Sequence, residues 1–278
     1  MRNRDLQTGL LFLSFVLMIP MEDVAMDRTV QTGARAAALA CAVVAVPGTF
    51  AVFHNQALLA GEHFPAVGLN CSNPFFISGY FENSLSLVFP LHTEVVAVGL
   101  SQTGIAGYRE STFGFSLAKK MNGKISAAIH FNYFDLNLPE AGRHKGSCQA
   151  DAGLGFQVSS HLLLGLHFHN LAATPIETLN DHLTFPMIVR VGASCQLSEQ
   201  ILLAGESICE KISGAGFRFG AEYWLQKCFW IRAGLATNPF LHSVGFGYRF
   251  KEFLVDFALV HHEYLGFSPV FSLSMNFR

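Results

Sequence analysis

Long apolar runs are missing from this chain. After the N-terminal stretch the longest is Ala36 to Val46, far short of the ~20 residues that a membrane-crossing helix needs. A bundle of transmembrane helices is therefore excluded. Charge is also scarce: 14% of residues are charged against 51% hydrophobic, an apolar balance for a soluble domain. The formal net charge is −2 and the basic residues are scattered. That leaves no footprint for a nucleic-acid partner. Signatures of catalysis are absent: no Gly-x-Ser-x-Gly elbow, phosphate loop or dinucleotide fingerprint occurs. The six cysteines (Cys41, Cys71, Cys148, Cys195, Cys209, Cys228) have no regular spacing, so they do not form a disulfide framework.

What is present is alternation. Phe217, Phe219, Ala221 and Tyr223 alternate with Arg218, Gly220, Glu222 and Trp224. The pattern restarts as Phe229, Ile231, Ala233, Leu235, then as Val244, Phe246, Tyr248, Phe250. It restarts again as Phe253, Val255, Phe257, Leu259 and ends as Phe271, Leu273, Met275, Phe277. A period of two over about ten residues, with turn residues between, marks strands of the length that crosses a bilayer at a tilt. The phase opposite the aromatics holds mostly Gly, Ala, Ser, Asn and a few Arg. The seven lysines (Lys119, Lys120, Lys124, Lys145, Lys211, Lys227, Lys251) all read as turn or loop residues. A soluble sheet would carry such side chains along its wet face. Small residues inward and greasy ones outward describe a membrane barrel.

In chain order, residues 1–25 read as a signal peptide: Arg2 and Arg4, the apolar run Leu10 to Ile19, and a cleavage site near Ala25. Residues 26–65 differ from the rest. Phe50, Phe53, Ala57 and Ala60 share one helical face, which predicts an extended lead-in and a helix packed in or under the barrel. A tail without a lumenal role is the alternative. Residues 66–278 hold fourteen candidate strands, with twelve as the alternative count. Short connections (Pro90–Thr93, Ser159–His161, Leu197–Gln200) alternate with longer ones (Cys71–Asn83, Asn137–Gly146, Leu171–Pro186, Glu210–Ser213). Outer-membrane barrels show that asymmetry. The fold class expected is an all-β, antiparallel transmembrane β-barrel of about fourteen strands with a short N-terminal helical plug.

Several stretches also match a known pattern. They are Gly33-Ala34-Arg35, the small-residue run Ala36 to Val46, and Phe50, Phe53 and Asn55-Gln56-Ala57-Leu58-Leu59-Ala60. Later come Pro186 to Gly192, Gly220-Ala221-Glu222-Tyr223, Thr237-Asn238-Pro239 and Gly266-Phe267-Ser268-Pro269. Together they resemble outer-membrane barrels of Bacteroidota, related to PorV- and PorQ-type secretion proteins and more distantly to the long-chain fatty-acid outer-membrane transporter. The resemblance implies a plugged fourteen-stranded barrel in a Gram-negative outer membrane. For function it implies either binding or passage of a small hydrophobic molecule, or an accessory role in surface protein secretion with a secretion-machinery partner. Where that family tends to carry glycine this chain has Ala38, Ala40, Cys41 and Leu58, residues that resist positive φ.

The candidate lumen-facing ionisable residues are Asp151, Arg190, Arg218, Glu222, Arg232, Arg249 and Asp256. They form either a polar path or a salt-bridge net, because lone charges in a narrow lumen are costly. Phe50, Phe53, Asn55 and Gln56 are the candidate plug residues. Val88, Phe134, Leu163, Trp230, Leu254 and Val260 carry the inward phase as apolar residues. They either line a greasy cavity or pack the plug. His167 and His169 share one side of a strand, but two imidazoles do not close a metal site. No metal or cofactor is expected, and no enzyme. The nearest rim-enzyme candidates are His242, Ser243 and His261; Cys148 and Cys209 both read near the outer rim and would pair only if adjacent, since disulfide geometry is narrow.

Overall fold

The computed structural model describes residues 32–138, 143–177, 182–183, 185–210 and 214–277; the expected signal, 1–25, lies outside them. Fourteen strands close into one antiparallel barrel. Its first half is β1 (Ala66–Ser72), β2 (Phe81–Pro90), β3 (Glu94–Ile105), β4 (Tyr108–Lys120), β5 (Ile125–Leu138), β6 (Arg143–Gln157) and β7 (Leu162–Ala173). A two-stranded hairpin outside the barrel follows, β8 (Ile176–Glu177) and β9 (His182–Leu183). The second half is β10 (Ile188–Ser198), β11 (Ile201–Glu210), β12 (Gly214–Gln226), β13 (Phe229–Thr237), β14 (Phe240–Phe250), β15 (Phe253–His262) and β16 (Gly266–Asn276). The first and last strands close the ring in a continuous register from Ala66↔Asn276 to Ser72↔Val270.

Fourteen is therefore the strand count, and the facing follows the alternation. On β4, Phe113, Phe115 and Leu117 are 51%, 42% and 39% exposed, while Ser116 and Ala118 are at 0%. The phase carries around the ring by register. Ser272, Asn70, Ser84, Ser101 and Thr112 form one inward row across β16 to β4. Among the described residues, no helix is long and apolar enough to cross a membrane.

Two sequence expectations need correction. The Asn137–Gly146 connection is mostly strand: β5 runs to Leu138 and β6 begins at Arg143. Lys145 consequently lies in β6 rather than in a loop, and Lys119 and Lys120 close β4. Strands continue past the point where apolar alternation fades because cross-strand hydrogen bonds, not side-chain polarity, sustain the ladder.

The segment from Thr32 to Gly61 lies inside the ring. It holds a one-turn helix, α1 (Ala34–Ala38), and two 3-10 helices, η1 (Thr49–Phe53) and η2 (Gln56–Gly61). The expected single helix is thus two short turns, broken at His54 and Asn55. Asn55 is extended (φ −145°, ψ 98°), and its side chain accepts from the Ala57 N–H at 3.2 Å, capping η2. A short 3-10 helix, η3 (Pro74–Phe76), sits in the β1–β2 loop.

Of the four residues expected to resist positive φ, Ala40 and Cys41 nevertheless take left-handed backbone (φ 50° and 60°), while Ala38 and Leu58 are helical. Cys41 N–H donates to the Ala36 carbonyl at 2.8 Å and Ala40 N–H to that of Ala37 at 3.1 Å. These bonds form the crossed pair that ends a helix on a left-handed residue. Each non-glycine residue there costs about 1–2 kcal/mol, offset by the surrounding packing of Ala34, Ala37, Ala38 and Ala40 against Ala258, Val260 and Val270.

Wall glycines make room for this segment. Phe50 lies over Gly68 and Phe53 over Gly99, where an added Cβ would stand 2.9 and 3.0 Å from the rings. At Gly165 an added Cβ would collide with the Val44 carbonyl, whereas at outward Gly205 it would meet only the Phe219 ring at 3.6 Å. Gly165→Ala should cost roughly 1–3 kcal/mol, as overpacking does, and Gly205→Ala almost nothing. Thermal unfolding of the two variants, followed by gel mobility of heated samples, checks the contrast; equal losses would refute the close approach.

Candidate functional site

All seven ionisable residues expected in the lumen face inward, and the structure sorts them into groups. In the first, Glu222 accepts from Arg35 (Nε 2.9 Å, Nη2 3.0 Å) and from Arg232 Nε at 2.5 Å. Arg232 also reaches Asp256 at 2.5 Å. The chain of charges Arg35–Glu222–Arg232–Asp256 alternates in sign and sums to zero. In the second, Glu206 accepts from Arg190 (2.6 and 3.0 Å) and lies 3.5 Å from Arg218. Glu206 also accepts the backbone N–H groups of Val43 (3.1 Å) and Val44 (2.9 Å). Arg190 meanwhile donates to the Cys41 carbonyl at 3.2 Å. Both groups therefore join the wall to the inner segment. Arg249 stands apart, its guanidinium 5.1 Å from the Trp230 ring centre, a cation–π distance.

Asp151 belongs to a third group, at a break in the wall. The β6–β7 register jumps from Ala150↔Ala172 to Ala152↔Phe168, and Asn170 has a φ of 53°. The Asp151 carboxylate accepts the Asn170 N–H (2.8 Å), His169 Nδ1 (3.1 Å) and Asn132 Nδ2 (3.2 Å). It thereby satisfies the backbone group that the bulge leaves without a ladder partner. His167 stacks on His169 at 6.1 Å and meets Gln56 Oε1 at 3.1 Å. No cluster able to hold a metal occurs among the described residues.

The plug candidates act through different contacts. Asn55 and Gln56 are fully buried. Asn55 donates to the carbonyls of Val44 (2.7 Å) and Leu154 (3.1 Å). Gln56 donates to Val52 at 2.9 Å. Phe50 and Phe53 supply bulk over the glycines. The inward apolar residues divide: Val88 and Leu163 pack with Val52 and Leu59 of the inner segment, while Phe134 meets Phe185 at 5.2 Å.

Three residues that hold this segment escape sequence reasoning. Glu206 lies on β11, where Leu202, Ala204 and Ile208 match Ile201, Leu203 and Cys209 in bulk, so the phase is ambiguous. Ser194 donates to the Ala45 carbonyl at 2.5 Å. Ser243 donates to the Ala38 carbonyl (2.9 Å) and accepts the Ala40 N–H (3.1 Å). Ser243 faces inward, while His242 and His261 pair outward at 4.6 Å. The rim Ser–His combination is therefore not assembled. Cys148 and Cys209 are free; they lie on β6 and β11, apart in the strand order.

Cavities lie on opposite sides of the inner segment. The one at the loop end holds about 420 Å3, floored by Ala40 and Cys41, walled by Ala236, Leu241, Val260 and Val270, and covered by Phe75 and Leu265. The one at the short-turn end holds about 200 Å3 and is bounded by Arg35, Pro47, His54, Arg249 and Glu252.

No family model matches the chain, and no curated protein does. Solved structures do. The CymD monoaromatic hydrocarbon channel is 16% identical with a TM-score of 0.67, over 88% of this chain and 97% of that one. The Pseudomonas putida toluene transporter TodX is 13% identical (TM-score 0.64; 93% and 100% covered). A Pseudomonas aeruginosa FadL homologue is 13% identical (TM-score 0.63; 94% and 99%). The likeness is one of fold. It reaches the fatty-acid-transporter side of the sequence resemblance and spans nearly the whole length of each neighbour.

His54 provides a pH test of the inner segment. Its Nε2 lies 2.8 Å from the Thr32 carbonyl, which can only accept, so that nitrogen carries the proton. Burial pushes the ring down to about 4, with the Arg190 charge adding to the effect. A depressed histidine stabilises the folded form above its unfolded value of about 6.5, and this is lost as pH falls through about 4. Limited proteolysis of the 32–61 segment should therefore accelerate between those values, and His54→Gln should flatten that part of the profile. An unchanged profile in the variant would refute the role.

Proposed function

We propose that this chain is a non-enzymatic outer-membrane barrel of a Gram-negative bacterium that binds or passes a small hydrophobic molecule. The observation that carries the reading is the loop-end cavity: a chamber of ligand size with Ala, Leu, Val and Phe walls and a few polar residues, Arg218 and His262 among them, inside a closed barrel whose outer face is a sheath of Phe, Leu and Tyr. The fold neighbours named as hydrocarbon channels support it. The PorV-type secretion reading and the Bacteroidota relation rest on the sequence resemblance alone.

In this reading residues 26–65 are the plug. The two ionic groups are its latches and not a conduction path, since each arginine is spent on a carboxylate or a plug carbonyl. Passage between the two cavities then requires the plug to shift. Breaking a buried pair costs about 3–5 kcal/mol, so Glu206→Gln should loosen the plug strongly. Planar-bilayer recordings should show larger and more frequent openings for Glu206→Gln than for the parent, and unchanged traces would argue against a latch.

Uptake tests the function itself. Cells displaying the barrel should take up a toluene-sized apolar molecule faster than cells with an empty vector, and equal rates would sink the proposal. The membrane setting has its own test. Phe246 is 44% exposed on β14. Phe246→Arg should cost about 2–4 kcal/mol near mid-bilayer and impair assembly into outer membranes. Assembly at the parental level would mean that this face does not meet lipid.

A further inference from the structure

The two covers of the loop-end cavity are built differently. Leu265 comes from the turn between β15 and β16. There His262 Nδ1 accepts the N–H groups of Tyr264 (3.2 Å) and Leu265 (3.4 Å), and Gly266 takes the left-handed position (φ 87°). Glycine meets no steric penalty in that conformation, so this turn is at rest. Phe75 comes from η3, where two consecutive phenylalanines are left-handed, Phe75 at φ 57° and Phe76 at φ 54°. Bulky side chains rarely take that conformation, and both residues are strained by the approach of Cβ to the following carbonyl.

The surroundings do little to impose this strain. Phe76 is 63% exposed, and no residue of η3 is fully buried. The base of the loop is firm. Asn73 Nδ2 donates to the carbonyls of Ile77 (2.8 Å) and Tyr80 (2.7 Å), and Asn73 N–H donates to that of Pro269 on β16 at 3.2 Å. Gly79, left-handed at φ 78°, gives the same loop an unstrained pivot. The tip is held differently: Phe75 N–H donates to Ser268 Oγ at 2.9 Å, and the Phe75 ring meets His262 edge-on at 6.2 Å. Strained backbone of this kind persists only where its neighbours hold it. Here the holding group at the tip is one serine hydroxyl.

We propose that η3 is the outer gate of the loop-end cavity, with Phe75 as its leaf, Ser268 as its catch, and Asn73 and Gly79 as its hinge. Release of the Phe75 N–H returns both phenylalanines to ordinary backbone and lifts the ring off the chamber, which opens a way in from the loop end. This rests on the hydrophobic-ligand reading and adds the entry step to it.

Cys41 supplies the reporter, because it borders the floor of the same cavity and is 4% exposed. The full barrel in detergent is treated with N-ethylmaleimide, and modification of Cys41 is followed by peptide mass, which separates it from the other cysteines. Phe75→Ala removes the leaf and Ser268→Ala the catch; each should speed labelling about fivefold or more. Phe76→Gly relieves strain and keeps the leaf, and should slow labelling about fivefold. Opposite signs within one turn separate a gate from a loop that substitution merely loosens. Equal rates in all four proteins, or acceleration by Phe76→Gly, would overturn the gate. So would a Cys41 that stays unlabelled in Phe75→Ala while the unfolded chain reacts. Toluene separates the gate from the reading beneath it. Protection of Cys41 by toluene, with rates indifferent to the three substitutions, would overturn the gate and keep the hydrophobic-ligand reading. Rates that follow the gate, with no protection by toluene, would keep the gate and count against that reading.

Discussion

A sheet in hydrocarbon cannot leave an edge, because an unmatched backbone N–H or C=O there costs several kcal/mol. The seven-residue register between β1 and β16 removes the last edge of this sheet, and much else follows from it. Closure forces alternate residues inward, so the interior fills with whatever the second phase of each strand supplies. Here that phase is rich in glycine and serine, and space remains for about thirty residues of chain.

Inside the ring, charge is handled by pairing. The acidic hubs Glu206 and Glu222 sit on neighbouring strands β11 and β12, and each gathers wall arginine and inner-segment donors at once. Glu206 takes two consecutive backbone N–H groups, and Glu222 takes the Arg35 fork. Such charge-assisted contacts are short and directional, so they fix where the segment sits as well as that it sits. Serines 194 and 243 repeat the arrangement with neutral groups, matching carbonyls and N–H groups of a segment too irregular to satisfy itself.

Much of this was legible in the sequence. Alternation along the strands pointed to their positions and facing, and to the inward phase of Asp151 and Arg190 on β6 and β10 as well as of Arg218, Glu222, Arg232, Arg249 and Asp256 in the last third. The left-handed backbone at Ala40 and Cys41 ran against the expectation from their side chains, because the crossed hydrogen bonds to Ala36 and Ala37 impose it. Less legible were features that depend on who meets whom. Glu206 hid in a strand with apolar bulk on both phases. The Phe50–Phe53 stripe looked like one helix because periodicity cannot register that Asn55 leaves the helical region to bond Val44 and Leu154. Strand ends beyond Leu136 and before Ser147 carried no apolar signal, since only hydrogen bonds hold them.

The inner segment's partners are spread along the chain. Ala34 bonds Ser272, 238 residues away, and other contacts come from β6, β10, β12 and β14. The full set of contacts of this stretch therefore requires the final hairpin. Arg35 and the glycine-seated rings complete their contacts only with the wall strands that hold them in place. The seat of the inner segment and the closing of the ring are thus mutually dependent, because one contact ties Ala34 to the strand that completes the barrel.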